Sequence, residues 1–315
     1  MEIFLRAVIL FIAFFSTYLL YPIFIDILKK NSVGQFIRKE GPDLHNYKEG
    51  TPTMGGLLFI ASGSIFGVLM NPVGETFFLV LAVILFAFIG LLDDWLSVRR
   101  KNAEGLKVHQ KFLLQIVFAI LLVLFSQMMS PHTHILLPFS NQRLELGFFY
   151  YIFTVFVIVA ISNAVNLTDG LDGLAGSVFL STAVPLYVFY RFHGNDFPIL
   201  LTFSLAVCAF LFYNFKPAKV FMGDTGAIAL GGLLGGVVSL TGTELFLLFF
   251  ALIFFVETLS VLIQVGWYKI TKRRVFKMSP LHHHYELKGY SEESIVFRFS
   301  VVNLIAALLI LGVYK

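Results

Sequence analysis

Phe86-Ala-Phe-Ile-Gly-Leu-Leu-Asp-Asp-Trp95 decides how this chain folds. It closes a stretch that carries no charge from Thr76 to Leu92 and then meets two adjacent carboxylates, Asp93 and Asp94. An apolar run of about 20 residues spans a bilayer as a helix. Two carboxylates at its edge are costly to keep there, so they read as functional before they read as solubilising.

Working outward, the same pattern recurs. The 315 residues are 58% hydrophobic and 13% charged, where soluble domains carry about 25% charge. The chain therefore reads as an all-α integral membrane protein. Backbone groups in lipid must be satisfied within the segment, and unbroken apolar runs satisfy them as helices, not as a barrel of alternating strands. Ten spans are expected, at 3–26, 54–70, 76–95, 112–129, 147–165, 172–190, 198–214, 226–243, 245–268 and 295–313. They form one polytopic domain over 1–315 without an internal repeat. The first stretch, Ile3 to Ile25, is too long for a signal-peptide core and reads as a retained helix. Cys208 is the only cysteine, which excludes an internal disulfide. The net charge of +4 comes from basic residues that lie mostly in loops. They fit anionic lipid headgroups better than nucleic acid.

Orientation follows from those basic residues. Lys29, Lys30, Arg38, Lys39 and Lys48 follow span one, and Arg99, Arg100, Lys101, Lys107 and Lys111 follow span three. Lys216 and Lys219 follow span seven, and Lys269, Lys272, Arg273, Arg274, Lys277 and Lys288 follow span nine. The opposite loops hold only Arg143 and Arg191. The expected arrangement puts the basic loops in the cytoplasm and both termini outside. Every polar island then falls on the cytoplasmic face: Lys48 to Thr53, Asp93-Asp94, Asn163 to Asp172, Asn214, Phe221 to Thr225, and His282 to His284.

Asp93, Asp94, Asp169, Asp172 and Asp224 gathered on one face would repel one another without a cation. Hard oxygen donors suit Mg²⁺, which takes one or two carboxylates and completes its shell with water and substrate phosphates. Lysines beside such a site hold phosphate oxygens as point charges. Together these describe phosphoryl transfer, where positioning and charge neutralisation do most of the catalysis. Plainer readings compete at each motif. Asp93-Asp94 could mark the water interface, and Gly223-Asp224-Thr225-Gly226 could be a turn and a helix cap. Asp169-Gly-Leu-Asp-Gly173 could be a tight turn between two spans. Consecutive histidines lack the i, i+4 spacing of a zinc pair, so His282 to His284 read as hydrogen-bonding or cationic contacts to a phosphorylated ligand. Lys272-Arg273-Arg274 reads as a topology signal in contact with lipid headgroups. Glycines 231, 232, 235 and 236 read as close helix packing. Glu257, well inside span nine, is either a packing hydrogen bond or part of a polar groove. A secondary transporter would place its acids near the midplane of repeated halves, a pattern that is absent here.

Five motifs carry a resemblance across essentially the whole chain: Thr51-Pro-Thr-Met-Gly-Gly56, Leu92-Asp-Asp94, Asn163-Ala-Val-Asn-Leu-Thr-Asp-Gly-Leu-Asp-Gly-Leu174, Phe221-Met-Gly-Asp-Thr-Gly226 and Pro280-Leu-His-His-His-Tyr-Glu286. In this order they resemble the phospho-N-acetylmuramoyl-pentapeptide transferases, the MraY family of bacterial cell-wall enzymes. The family sits within the wider polyprenyl-phosphate sugar-phosphate transferases. The resemblance implies transfer of phospho-MurNAc-pentapeptide from UDP-MurNAc-pentapeptide to undecaprenyl phosphate, giving lipid I and UMP with Mg²⁺. It also implies a homodimer in the bacterial cytoplasmic membrane. The alternative is a relative that moves GlcNAc-1-phosphate or another sugar phosphate to the same kind of carrier, and the histidine motif argues against it. By the same resemblance Asp224 is the Mg²⁺ ligand, Asp93 deprotonates or orients the lipid phosphate, and Asp94 supports the metal and lipid site. Lys48, Thr53, Asn166, Asp169, Asp172, Asn214, Phe221, Gly223 and Gln264 match nucleotide and phosphate positions. Phe221 offers an aromatic face for uracil. Lys111 is a phosphate lysine, and His282, His283 and His284 meet the sugar-peptide side. Two departures stand out: Ala227 replaces a serine common after Gly-Asp-Thr-Gly, and Glu104-Gly-Leu106 replaces a common Lys-Gly-Leu.

Overall fold

The computed structural model describes residues 2–31, 34, 48, 50–100, 105–140 and 142–314. Arg38, Lys39, Lys101 and Glu104, each used in the reading above, lie outside the described residues. The helices are α1 (Glu2–Lys30), α2 (Gly56–Met70), α3 (Gly74–Arg100), α4 (Val108–Met129), α5 (Phe149–Thr168), α6 (Leu174–Phe192), α7 (Ile199–Asn214), α8 (Gly223–Ser239), α9 (Leu247–Phe250), α10 (Leu252–Thr271), α11 (Leu281–Glu286) and α12 (Glu292–Val313). Each of the ten apolar stretches lies largely on helix. Seven helices are long and apolar enough to cross a membrane: α1, α3, α4, α5, α6, α10 and α12. α2, α7 and α8 are shorter apolar helices. The stretch 245–268 is not one helix. A 3-10 turn at Glu244–Phe246 leads into α9, and Ala251, at φ −117° and ψ 31°, breaks the chain before α10.

The all-α expectation also misses a small antiparallel pair, β1 (His134–Leu136) and β2 (Arg143–Glu145), with Ile135 opposite Leu144. Strands of three residues carry too little alternation to register against helical runs on either side.

α8 is the axle of the bundle. Every residue from Thr225 to Ser239 is buried, packed chiefly against α3 and α5. Seventeen residues rise about 25 Å, short of the roughly 30 Å hydrocarbon layer. The helix can be short because protein surrounds it. Its glycines make the approach possible: a Cβ on Gly231 would overlap the Ser162 backbone, and one on Gly232 would overlap Phe86. This is the close packing that the small-residue spacing predicts. The outer helices are turned inside out by comparison. α1 exposes Phe4, Phe11, Phe15 and Leu19, and α4 exposes Leu113, Leu124 and Met128, an apolar surface suited to acyl chains.

Candidate active site

The site is built where the C-terminal ends of α3, α5 and α7 meet the N-terminal ends of α4, α6, α8 and α12. Its frame is backbone. The Phe221 N–H donates to the Pro52 carbonyl (2.8 Å), and the N–H groups of Gly55 and Gly56 donate to the carbonyls of Phe221 (2.8 Å) and Met222 (3.0 Å). Two motifs distant in sequence are thereby zipped together ahead of α8. Gly223 begins α8 at φ +72°, and a Cβ there would collide with Asp94 and with Thr53 Oγ1. Only glycine admits both the backbone angle and the neighbours.

Asp94, 8% exposed, spends its carboxylate on the start of α8. Oδ1 accepts the Asp224 N–H (3.1 Å), while Oδ2 accepts the Thr225 N–H (3.0 Å) and hydroxyl (2.6 Å). A carboxylate on orphan N–H groups at a helix N-terminus is favoured by both hydrogen bonding and the helix dipole. Gly90, one turn earlier on α3, lets that helix touch the Asp224 backbone, which a Cβ would overlap. Asp94 is thus part of the scaffold that aims Asp224.

Asp224 then projects into a polar knot. Its carboxylate accepts the Lys111 ammonium and, at Oδ1, the Asn166 amide (2.7 Å). Lys111 also reaches Asn166 Oδ1 (3.4 Å). Asp93 faces Asp224 and Lys111, and its Oδ1 accepts the Leu106 N–H (2.9 Å). Gly105 packs on the Asp93 carboxyl so closely that a Cβ there would collide with it. Behind the knot, Asn163 donates to Gln115 Oε1 (2.9 Å) and Gln115 to Ser162 Oγ (3.3 Å), a polar ladder running into the bundle between α4 and α5. Asp169, just past α5, is pushed up to about 8 by burial and then by the Asp224, Asp94 and Asp172 carboxylates, with Lys48 pulling the other way.

This donor set fits a hard divalent cation. Among the described residues no three His, Cys, Asp or Glu side chains close into a metal cage, but Mg²⁺ does not need one. One or two carboxylates beside water and phosphate suffice. Asp224 and Asp93 could supply the carboxylate oxygens, at a place where the Lys111 ammonium already sits against Asp224.

The remaining expected residues divide. Lys48, whose match is to a nucleotide or phosphate position, is held in a buried ion network. Its Nζ lies 2.7 Å from Asp172 Oδ1 and 2.8 Å from Glu292 Oε2. Lys216 joins Glu292 Oε1 (3.3 Å), and the Ala218 N–H joins Asp172 Oδ2 (3.0 Å). Glu292 is the member the sequence reading missed, because an acid in a first helical turn looks ordinary. Asn214 is a strap: Oδ1 accepts the Gly173 N–H (3.0 Å) and Nδ2 donates to the Val220 carbonyl (2.9 Å). Phe221 is half-buried beside the zipped frame. Gln264 braces the loop after α10 through the N–H groups of Val275 (3.0 Å) and Phe276 (2.9 Å) and the Phe276 carbonyl (3.1 Å). Ala227 is fully buried in α8.

The three histidines do three different things. His282 is fully buried between Glu257 and Gly170. His283 Nδ1 lies 2.7 Å from Glu286 Oε2, and His284 Nδ1 accepts the Lys277 N–H (3.0 Å). Glu257 is resolved by the same contacts as a hydrogen-bonding residue, accepting the N–H groups of Leu281 (2.7 Å) and His282 (3.1 Å).

Comparison with known proteins agrees with this architecture. Residues 76–243 match the family described as Glycosyl transferase family 4. Residues 48–60 match the phospho-N-acetylmuramoyl-pentapeptide-transferase signature 1. A phospho-N-acetylmuramoyl-pentapeptide-transferase of Thermotoga petrophila is 52% identical over 295 residues, covering 94% of this chain and 95% of its own. One from Kosmotoga olearia is 46% identical over 304 residues (96% of each chain). One from Staphylococcus carnosus is 44% identical over 314 residues (96% and 97%). Relatedness at this level over nearly every helix that builds the site leaves one assignment: the chain belongs to the phospho-N-acetylmuramoyl-pentapeptide-transferase family.

Proposed function

We propose that this protein transfers phospho-MurNAc-pentapeptide from UDP-MurNAc-pentapeptide to undecaprenyl phosphate, releasing UMP and forming lipid I for peptidoglycan synthesis. The observation that carries the reading is Asp224, braced by Lys111 and Asn166 at the start of α8 with Asp93 alongside. It stands within a chain related end to end to transferases of that name.

In the reaction a lipid phosphate oxygen attacks the sugar-bound phosphorus of the donor, and the bond from that phosphorus to the UMP oxygen breaks. A phosphate monoester is already largely anionic near neutral pH, so in-line positioning matters more than deprotonation. Asp93 orients the attacking phosphate and takes its residual proton where one remains. Lys111 moves from Asp224 onto phosphate oxygens, where an ammonium stabilises the charge that develops. Asp224 would hold Mg²⁺, with Asp93 beside it, and the bound ion would supply charge neutralisation for the phosphates and the crowded carboxylates. Asp169, Asp172, Thr53, Asn214 and Phe221 line or support the nucleotide side, and His283 and His284 meet the sugar-peptide. A covalent aspartyl-phosphate route would use the same residues in two steps.

The setting proposed is a bacterial cytoplasmic membrane. It has ten spans, both termini outside, the site on the cytoplasmic face and a homodimer as the assembly. The excess of lysine and arginine in the loops after spans one, three, seven and nine supports that orientation. The test is UMP release by purified protein with undecaprenyl phosphate, offered UDP-MurNAc-pentapeptide or UDP-GlcNAc, with Mg²⁺ or with chelator. Turnover of the first donor alone, abolished by chelator, is expected. Turnover of UDP-GlcNAc instead would overturn the substrate, and undiminished rate in chelator would overturn the metal.

A further inference from the structure

Glu257 takes no part in the chemistry above, yet it is a fully buried carboxylate in the second turn of a membrane-length helix, α10. Such a group is expensive unless its charge is matched by donors. Its donors are specific. Leu281 and His282 are the first two residues of α11, and their N–H groups point at Glu257 Oε2 (2.7 Å) and Oε1 (3.1 Å). Pro280, which precedes them, offers no side-chain cap, so α10 supplies from outside the acceptor that a capping residue would supply from within. Glu257 Oε2 also lies 3.3 Å from His282 Nδ1. The other ring nitrogen of His282 abuts Gly170, where a Cβ would overlap it. Seven residues along α10, on the same face, Gln264 holds the backbone of Val275 and Phe276. One helix face thus fixes the segment 275–282 at both ends and presses His282 against the turn that carries Asp169.

We infer that Glu257 is a positioning residue for the proposed transfer. It caps the histidine segment and docks His282 on Gly170, so that His283 and His284 stand at a fixed place beside the Asp169 turn. The inference rests on the transferase reading for its kinetic half only. A residue that merely fills the core would affect thermal stability and leave the substrates' constants unselected. A positioning residue acts on the donor whose sugar-peptide meets the histidines.

The experiment compares wild type with Glu257→Gln in the full-length purified protein, by amide hydrogen exchange and by steady-state kinetics. Exchange across 277–289 should accelerate about tenfold or more in the variant while 223–239 keeps its protection, the scale set by losing charge-assisted hydrogen bonds. KM for UDP-MurNAc-pentapeptide should rise about tenfold, with KM for undecaprenyl phosphate changed less than about twofold. Unchanged exchange overturns the cap, and lost protection with an unchanged donor KM overturns the positioning role. Should the variant not fold, wild-type exchange decides: Leu281 and His282 amides exchanging at the intrinsic rate of unprotected amides overturn the inference. No UMP from the wild type overturns the transferase reading instead, and the exchange result still decides what Glu257 holds.

Discussion

At Asp94 both carboxylate oxygens are committed to α8, whereas Asp93 faces the polar knot. Their amide variants should therefore fail in different ways. Asp93→Asn should lose turnover by a large factor with nucleotide binding and melting temperature retained. Asp94→Asn sets an NH₂ group against N–H donors in a buried place. It should lower stability by about 1–3 kcal/mol as well as rate, read as a drop in melting temperature. An Asp94→Asn protein that melts like wild type would refute the capping role, and an active Asp93→Asn would remove that residue from the chemistry. Asp224→Asn should abolish turnover and flatten the rate's dependence on Mg²⁺ concentration; near-normal rate at low Mg²⁺ would exclude it as the ligand.

Among the helices, α8 and α10 use glycine for opposite reasons. Gly231 stands where α8 touches the Ser162 backbone, while nothing lies within 4 Å of a Cβ on Gly266 in α10. Gly231→Ala should cost about 1–3 kcal/mol through overpacking. Gly266→Ala should leave the melting temperature unchanged or raise it. Equal effects would mean that α8 does not pack as described. Arg273→Ala, in the exposed run after α10, should leave turnover near wild type, and a large loss would move that run into the site. The helices were legible in sequence because apolar stretches mark them, and the repeated small-residue spacing marked the close contacts of α8. The carboxylates were legible because charge is so rare in this chain. What stayed hidden depends on tertiary contact. No local pattern tells that Lys48 will pair with Glu292, 244 residues away, that Asp94 will cap a helix other than its own, or that Ala251 will break the ninth apolar stretch. Glu257 was visible as an anomaly, but its donors lie on another helix, so its work could not be read from its neighbours in sequence.

Over the whole molecule, the end of the bundle opposite the carboxylates has a titrating group of its own. Glu244, in the link between α8 and α9, is 2% exposed. Thr154 donates to its Oε1 (2.8 Å), and Tyr150, which touches it, also meets His132 Nε2 (2.9 Å). Burial pushes Glu244 up to about 7, with its backbone, Thr154 and Tyr150 hydrogen bonds pulling the other way. The folded protein therefore holds a proton there that the unfolded chain, near 4.5, has released across the interval between those values. Stability that depends on that proton is fully present below the unfolded value and is lost as pH rises through the folded one. Asp169, up at about 8, adds a slope of the same sign, so the wild-type trend alone cannot be assigned to one residue. Glu244→Gln separates them, because a glutamine keeps the protonated shape and does not ionise. In detergent, wild type and variant should melt close together at pH 5. By pH 8 the variant should be the more stable of the two, since it alone avoids an ionised carboxylate in the packed link. A gap between them that does not change with pH would show that Glu244 does not titrate in this interval. The slope of the wild type would then belong to the carboxylates at the other end.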